Sequence, residues 1–210
     1  DYVVNSQHIL SLKKAKSCRK TELSKQRYPD YGAFVDMPIQ EYMEQSNRWR
    51  GRFYGYRVGV DFPHKDVLID PYFLGVWLGD GHSHEVCVTT EDKEIEDYLR
   101  GYAFILKQQV TIVGQRGKAT TYRIKGSSPH REKYKAELIT RFRKLNLFRN
   151  KHIPDIYLHN SRDVRLQVLA GLLDTDGSLS KNCYDFVQKN KTIAEQTMYL
   201  AHSLGLRCSI

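Results

Sequence analysis

The 210-residue chain is 40% hydrophobic and 27% charged, so it has enough apolar residues for a folded core, and a wholly disordered chain is excluded. Its formal net charge of +9 favours a polyanionic partner, with nucleic acid ahead of an anionic membrane surface. No apolar run approaches the roughly 20 residues that span a bilayer, and residues 1–4 lack the basic start of a signal peptide. The four cysteines have no C-x-x-C spacing, so we expect them to be reduced thiols. We therefore expect an intracellular protein of the cytoplasm or nucleus that is not secreted and binds no membrane.

The first part of the chain is predicted to hold few regular elements. Residues 1–12 are predicted to form a strand, and the basic, polar residues 13–30 a solvated arm that adds non-specific DNA affinity. Pro38 predicts the start of a short helix over residues 39–46. Residues 48–57 interleave arginines with aromatic residues, a pattern that suits either a clamp on a DNA backbone or the wet side of an aromatic core. The candidate DNA-binding residues of this segment are Arg48, Arg50 and Arg52.

Helices and strands alternate in the middle of the chain. Pro71 suits the first turn of a helix that ends near residue 81. Residues 85–90 are predicted to form a strand, and apolar residues spaced by three or four predict a helix over residues 92–107. The pattern further predicts a hairpin from residues 109–114 and 121–125 and a helix over residues 131–145.

The same order of elements then begins again. The second cycle is predicted to contain a helix over residues 166–175, a strand over 183–188, a helix over 192–204 and a strand over 206–210. The two copies lie 96 residues apart at Asp80 and Asp176 and 98 residues apart at Ile95 and Ile193, which indicates a domain-sized duplication. Because the second copy lacks a hairpin partner strand and a last helix, we expect the sequence to be a fragment.

Small residues recur in the two copies of the first helix. Residues 73–81 (FLGVWLGDG) and 169–177 (LAGLLDTDG) align with Gly75 on Gly171 and with Gly79 on a second small residue, a threonine. Small residues four apart lie on one helix face and let two helix backbones approach closely. Since a glycine inside a helix costs about 1 kcal/mol relative to alanine, its repeated use predicts that the two helices pack side by side through these residues.

Each copy of this helix ends at Asp-Gly, with Asp80 and Asp176 in the last turns. Gly81 and Gly177 are expected to take the left-handed conformation that terminates helices. An acid at a helix C-terminus opposes the macrodipole, and two such acids repel each other, so a divalent cation would relieve both penalties. Hard oxygen ligands favour Mg²⁺. A single Asp-Gly is a common helix exit, but its duplication with matched glycines favours a paired acidic site.

Residues 70–81 and 169–177 resemble the paired motifs of LAGLIDADG homing endonucleases, and most closely the two-motif kind that is embedded in inteins. The first segment departs from the family pattern at Leu78, where an acid is frequent. The resemblance implies an α+β fold of two αββαββα halves related by a pseudo-two-fold axis. It also implies that Asp80 and Asp176 are catalytic and bind Mg²⁺ across that axis.

Two further segments match elements of the same kind of protein. Lys151-His-Ile-Pro resembles the Lys-x-Ile-Pro element of the family, which implies that Lys151 is a catalytic lysine; without the resemblance it would be an ordinary solvated lysine. The first strand resembles the T-x-x-H element of a Hint splicing domain, with Asn5 in place of threonine, and implies that His8 assists the first acyl shift of protein splicing. Alternatively, His8 is a surface histidine on a strand.

The predicted hairpin has one polar and one apolar face. Tyr122 and Ile124 alternate with Arg123 and Lys125, so the apolar pair is expected to pack on helices while the polar set faces outward. The resemblance implies that this sheet faces the major groove of DNA, whereas the plainer interpretation is an amphipathic hairpin with a solvated face. The candidate DNA-binding residues of the hairpin are Arg116, Lys118, Arg123 and Lys125.

Together these features predict a domain organisation and a function. We expect the end of an all-β Hint domain over residues 1–15, a basic connector over 16–65, a first endonuclease half over 66–155 and an incomplete second half over 156–210. The expected activity is Mg²⁺-dependent hydrolysis of both strands of a long double-stranded DNA site by a monomer with an internal pseudo-two-fold axis. The full-length precursor would contain host-protein exteins. Two alternatives remain open: a maturase-like RNA- or DNA-binding protein of the same fold, and a decayed intein with an inactive endonuclease.

Overall fold

A computed structural model describes residues 4–14, 33–56, 58–126 and 137–209, and the chain divides into two compact units, Asp1–Val58 and Gly59–Ile210. Most of the predicted basic arm at residues 13–30 lies outside the described residues. The division at residue 58 precedes the predicted boundary at residue 65, and the predicted boundary at residue 155 falls inside the second unit.

The first unit contains a three-stranded antiparallel sheet with strand order β2-β1-β3. Its elements are β1 (Ile9–Lys14), β2 (Phe34–Pro38), α1 (Ile39–Glu44), α2 (Asn47–Arg50) and β3 (Phe53–Tyr54). Leu12 and Met37 are its buried apolar residues among those described. The helix predicted after Pro38 is confirmed. The first strand begins later than predicted, because residues 6 and 7 form a turn that the N–H of His8 closes by donating to the carbonyl of Asn5.

Two adjacent helices, α3 (Pro71–Asp80) and α7 (Arg162–Asp176), pack along each other in the second unit. Asp70 caps α3 by accepting from the N–H of Phe73 at 2.9 Å, and Pro71 occupies the first helical position. Nearly every side chain of α3 is buried, as expected for a helix that is apolar on all sides. The fully buried large residues of this helix are Phe73, Leu74, Trp77 and Leu78.

A layer of strands and helices follows α3 in the chain. It comprises β4 (Cys87–Thr90), α4 (Lys93–Ile105), β5 (Gln108–Arg116), β6 (Ala119–Gly126) and α5 (Glu137–Lys144). The strands form an antiparallel sheet of order β4-β6-β5. Tyr122 and Ile124 are buried whereas Lys125 is exposed, so the predicted alternation of the hairpin is confirmed. The helices predicted over residues 92–107 and 131–145 are also present, the second only from Glu137 among the described residues.

The second copy repeats the beginning of this arrangement. It comprises α6 (Asp155–Leu158), then α7, β7 (Gly177–Ser180), β8 (Cys183–Phe186) and α8 (Lys191–Ser203). Each central helix runs directly into an antiparallel pairing, Gly81 with Val88 in the first copy and Gly177 with Phe186 in the second. The molecule is therefore of mixed α+β class with antiparallel sheets. No helix in the described parts of the chain is long and apolar enough to cross a membrane.

The strand predicted over residues 206–210 is wrong: residues 206–209 form no strand. The N–H of Leu206 donates to the carbonyl of Ala201 at 2.9 Å, which closes the end of α8. A ring nitrogen of His202 lies 2.9 Å from the carbonyl oxygen of Cys208. The backbone thus folds back on its own helix instead of pairing with a neighbouring strand.

The glycines of α3 and α7 lie where the two helix backbones touch. A Cβ on Gly75 would collide with the carbonyl of Val168 and lie 2.9 Å from the Cα of Gly171. A Cβ on Gly171 would lie 2.7 Å from the backbone nitrogen of Val76. Farther along, a Cβ on Gly79 would lie 2.7 Å from the Cβ of Thr175. The contact therefore runs from the middle of both helices to their C-terminal ends.

Replacing Gly75 by alanine tests this contact. The added methyl group meets backbone atoms that cannot rotate away, so we expect Gly75→Ala to lower the free energy of unfolding by about 1–3 kcal/mol. Gly101 is the matched control, because it lies inside α4 with open space around its missing Cβ. Gly101→Ala should raise the free energy of unfolding by about 0.5–1 kcal/mol. Urea unfolding measures both, and equal stability of the two variants would contradict the close contact.

Candidate active site

The carboxylates of Asp80 and Asp176 stand on the last residues of α3 and α7. The small residues bring these helix ends together: Oδ2 of Asp176 lies 3.4 Å from the position of a Cβ on Gly79. The two carboxylates are close enough that the charge of Asp176 raises the pKa of Asp80. The structure thus brings together the two acids that the sequence analysis identified.

Gly81 and Gly177 end the two helices in extended conformations, with φ/ψ of −79°/156° and −99°/154°. The expected left-handed conformation is therefore wrong at both positions. Glycine is required there for space instead. A Cβ on Gly81 would collide with the backbone and ring of Trp77, and one on Gly177 would collide with the backbone of Leu173. The extended backbone leads each helix directly into a strand pairing.

The side chain of Lys151 lies against the C-terminal end of α3. Its Nζ donates to the carbonyl oxygens of Leu78 at 3.0 Å and Gly79 at 3.2 Å, and lies 5.1 Å from the centre of the Trp77 ring. A cation is stabilised at a helix C-terminus by the free carbonyls and the macrodipole. The ammonium also interacts with the charges of both Asp80 and Asp176.

Burial perturbs all three ionisable groups. It is the main cause that raises the pKa of Asp80 from 3.8 to about 6, with the negative charge of Asp176 second and Lys151 opposing. Burial also raises the pKa of Asp176, again opposed by Lys151. The pKa of Lys151 is lowered from 10.5 to about 8, because burial outweighs the attraction of the two carboxylates. Perturbed groups that converge in one place are typical of functional sites.

Two residues that the sequence analysis missed contact this cluster. The side-chain amide of Gln188 donates to Oδ2 of Asp176 at 2.7 Å. The side-chain amide of Asn190 donates to the backbone carbonyl of Lys151 at 3.1 Å. Only Asn190 carries a signal that a sequence shows, since asparagine close to the start of a predicted helix is a common N-cap. A single glutamine after a strand carries no such pattern.

The candidate DNA-binding residues of the β5–β6 hairpin are exposed at the tip and partly engaged at the base. Arg116, Lys118 and Lys125 are exposed. Arg123 forms an ion pair with Glu85 and lies 3.3 Å from the sulfur of Cys87, so part of its charge is neutralised within the chain. Hydrogen bonds from Cys87 and Arg123 in turn lower the pKa of Glu85.

A basic groove of about 440 Å³ opens beside the base of this hairpin. Apolar side chains of the sheet and of α5 form part of its wall. Its charged and titratable lining residues are His84, Glu85, Arg123, Lys125, Arg143 and Arg149. The excess of cations over the one acid makes the groove attractive to a phosphate chain.

The remaining candidates belong to the first unit. Trp49 packs on Phe53 with ring centres 4.3 Å apart, and Arg50 bonds to Asn47 on its own helix, while Arg48 is exposed and Arg52 half-buried. Trp49 and Phe53 are therefore half-buried against each other, whereas Tyr54 and Tyr56 of the same segment are exposed. His8 is exposed and directly precedes β1, and its backbone carbonyl accepts from the N–H of Ile39 at 2.8 Å.

Within the described ranges, no group of three or more histidines, cysteines, aspartates or glutamates is arranged to hold a metal ion. A cation at the helix ends would therefore have two protein carboxylates as its anionic ligands. Water and a substrate phosphate would have to complete its shell. That donor set suits Mg²⁺, which keeps several waters and binds proteins through one or two carboxylates plus phosphate.

No family model matches the chain. One curated relative is the replicative DNA helicase DnaB of Mycobacterium intracellulare, to which the chain is 33% identical over 150 residues. The match covers 71% of this chain but only 21% of the relative. The chain thus resembles about a fifth of an enzyme that is named for its action on DNA.

This comparison corrects the family assignment made from the sequence. The motifs resemble those of LAGLIDADG homing endonucleases embedded in inteins, whereas the relative found is named as a replicative helicase. The two motifs are nine to twelve residues long. They are sufficient to produce a close helix pair with acidic ends, but this local geometry does not define a family.

The shifted pKa of Asp80 makes a prediction about stability and pH. Its folded-state pKa of about 6 lies above its ordinary value of 3.8, so the folded protein favours the protonated acid. The resulting contribution to the free energy of unfolding is complete below pH 4 and is lost as the pH rises through about 6. Without divalent ions, we expect Asp80→Asn to raise the free energy of unfolding at pH 7.5 by on the order of 1–3 kcal/mol, with little effect at pH 4.

Urea unfolding at the two pH values measures this difference. The exposed Asp185 on β8 provides the control, and Asp185→Asn should show no comparable dependence on pH. Equal stability of Asp80→Asn and the parent protein at pH 7.5 would show that the buried acid carries no electrostatic penalty.

Proposed function

We propose that this chain is a DNA endonuclease that hydrolyses phosphodiester bonds in both strands of a double-stranded site with Mg²⁺ as cofactor. The observation that supports this proposal is the convergence of Asp80, Asp176 and Lys151 at the adjoining ends of two helices. The acids provide hard oxygen ligands and the lysine provides a cation for phosphate. These are the groups that phosphodiester hydrolysis requires in one place.

The two carboxylates of Asp80 and Asp176 would hold the cation. Bound Mg²⁺ supplies positive charge that stabilises the phosphate in the transition state and lowers the pKa of water. Both acids have raised pKa values through burial, and at Asp80 also through repulsion, so a cation between them removes an existing penalty. Their half-buried position keeps the charges close to where the phosphate would lie.

Lys151 is placed to act on the phosphate itself. An ammonium has three N–H donors, and the carbonyls of Leu78 and Gly79 accept two, so one remains for a phosphate oxygen. In hydrolysis a water oxygen adds to phosphorus and releases one proton to solvent, one P–O bond to sugar breaks, and the leaving oxygen takes up a proton. In the absence of a cation the pKa of Lys151 is about 8, so the side chain is mostly protonated at neutral pH, and its ammonium can stabilise that leaving oxygen or supply the proton.

Duplex DNA as the substrate is supported by charge and by the repeated architecture. The net charge is +9, and the basic groove and the hairpin tip present several cations, of which Arg123 is paired with Glu85. We propose that the two copies are related by a pseudo-two-fold axis along the α3–α7 contact, because each helix ends in the same acid and leads into the same antiparallel pairing. A two-fold arrangement suits the two antiparallel strands of DNA.

We further propose that the endonuclease is carried as an intein within a longer host chain. The chain matches only a fifth of its helicase relative, as an element inside a larger protein would. His8 stays a predicted splicing residue. On this proposal the candidate target is the helicase gene without the segment that the chain matches.

The relative's name favours a second candidate function, namely that this chain is a segment of a DNA-unwinding enzyme. ATP-driven unwinding requires a phosphate-binding loop, for which the pattern is G-x-x-x-x-G-K-[ST]. That pattern does not occur in the 210 residues. This segment would then act on DNA only together with the remainder of such an enzyme. ATP hydrolysis or DNA binding without nicking would favour this candidate.

Nicking of a supercoiled plasmid tests the proposed activity. The plasmid carries the helicase gene of Mycobacterium intracellulare from which the matched segment has been removed. We expect Mg²⁺-dependent nicks in both strands by the full-length protein that contains this chain. Asp80→Asn and Asp176→Asn should each reduce the rate by more than about 100-fold, because even outer-shell partners of a metal contribute 10–100-fold.

Lys151→Met should slow nicking by about 100-fold, within the range for loss of one charge-stabilising donor. The exposed Lys144 on α5 is the matched control, and Lys144→Met should leave the rate within about twofold of the parent. If the unmutated protein binds this DNA but leaves it intact with Mg²⁺, the endonuclease proposal is refuted in favour of a DNA-binding role.

A further inference from the structure

The strand-to-helix junction after each acid is built in the same way. In the second copy Asn190 caps α8, and its backbone N–H donates to Oε1 of Gln188 at 3.1 Å. In the first copy Asp92 caps α4, and its backbone N–H donates to the hydroxyl of Thr90 at 3.0 Å. Gln188 and Thr90 are 98 residues apart, which is also the separation of the caps and of the helix markers Ile193 and Ile95. They therefore occupy equivalent positions.

The two equivalent residues differ in what they reach. Gln188 uses its oxygen for the cap and its amide nitrogen for Oδ2 of Asp176, at 2.7 Å. Thr90 is 6% exposed, and the hydroxyl is the only polar group of its short side chain. Among the described residues, no side chain donates a hydrogen bond to the carboxylate of Asp80. One acid is thus held by a neighbour and the other is not.

The same cap also fixes the lysine segment. Asn190 donates through its side-chain amide to the carbonyl of Lys151 at 3.1 Å, while its oxygen accepts from the N–H groups of Thr192 and Ile193. Asp176 and Lys151 are therefore both hydrogen-bonded to residues at the N-terminal end of α8, Asp176 to Gln188 and Lys151 to Asn190. The bond from Gln188 occupies Oδ2 of Asp176 and leaves Oδ1 for a cation.

We propose that Gln188 is a positioning residue that orients Asp176 and makes the two acids of the site unequal, so that the two DNA strands are nicked at different rates. The difference in strand rates rests on the proposed endonuclease function, whereas the orientation of Asp176 for a cation does not. Hydrogen-bonded partners of metal-binding carboxylates contribute about 10–100-fold in metal affinity or activity. A partner present on one side only supplies a corresponding inequality.

Replacing Gln188 by its counterpart tests the positioning role. Gln188→Thr keeps a hydroxyl for the cap but removes the donor to Asp176. We expect its affinity for Ca²⁺, measured by titration calorimetry without DNA, to fall about tenfold. Val187 is the matched control, because it is adjacent, 79% exposed and close to threonine in shape. Val187→Thr should bind Ca²⁺ like the parent protein, and an unchanged affinity in Gln188→Thr would overturn the proposal.

A second variant separates positioning from folding. Gln188→Met keeps the length of the side chain but removes both the donor to Asp176 and the acceptor for Asn190, of which Gln188→Thr removes only the first. We expect the same loss of Ca²⁺ affinity in both variants, with cooperative urea unfolding like that of the parent. If Gln188→Thr unfolds, this variant still decides the question. Parent-like Ca²⁺ binding by a folded Gln188→Met would overturn the positioning role.

Strand-resolved nicking tests the inequality. On a duplex labelled on each strand in turn, the parent protein should nick one strand faster, and Gln188→Thr should change the ratio of the two rates by about tenfold. Equal slowing of both strands would overturn the inequality. If the parent protein fails to nick at all while Gln188→Thr still weakens Ca²⁺ binding, the endonuclease function is refuted and the positioning role stands.

Discussion

The close contact of two helices through glycine is the constraint on which the rest of the second unit depends. Gly75 and Gly171 leave no room for a Cβ, so the backbones of α3 and α7 touch. An ordinary helix pair keeps its axes 8–10 Å apart and would separate groups on the helix ends. Here the contact continues to Gly79 and Thr175, and it places two acids side by side. Packing and chemistry are therefore set by the same residues.

This arrangement has an electrostatic cost that the fold does not remove by itself. Asp80 and Asp176 stand at negative helix ends, partly withdrawn from water and close to each other. Lys151 offsets part of the repulsion, but its own pKa is lowered because it is buried as well. A structural ion cluster would be expected to balance its charges, whereas this cluster has an excess of one acid. The excess charge is consistent with a site that takes up a cation.

The sequence predicted the elements that carry a pattern and missed those that depend on a partner. The duplicated helix ends and the alternation of the β5–β6 hairpin were visible as periodicity, and the structure has both. Strand β7 was missed, because its four residues are mostly exposed and show no alternation. Leu206 and its neighbours have a strand-like composition, but the chain folds back onto α8 there. Gly81 was assigned to glycine's usual role at a helix end, whereas lack of space is the actual reason.

The divergence of the two copies explains why the site could be predicted only in part. The two copies share the close-contact glycines Gly75 and Gly171, the terminal acids and a polar residue at the helix cap, and a repeat search finds these residues. Gln188 differs from Thr90 because nothing in the scaffold requires them to match: both satisfy the same backbone N–H. The side chain that distinguishes one acid from the other is therefore free to vary, and a comparison of the two copies passes over it. An asymmetric function on a duplicated fold is expected to lie at such positions, where a shared structural task leaves one atom of the side chain unused.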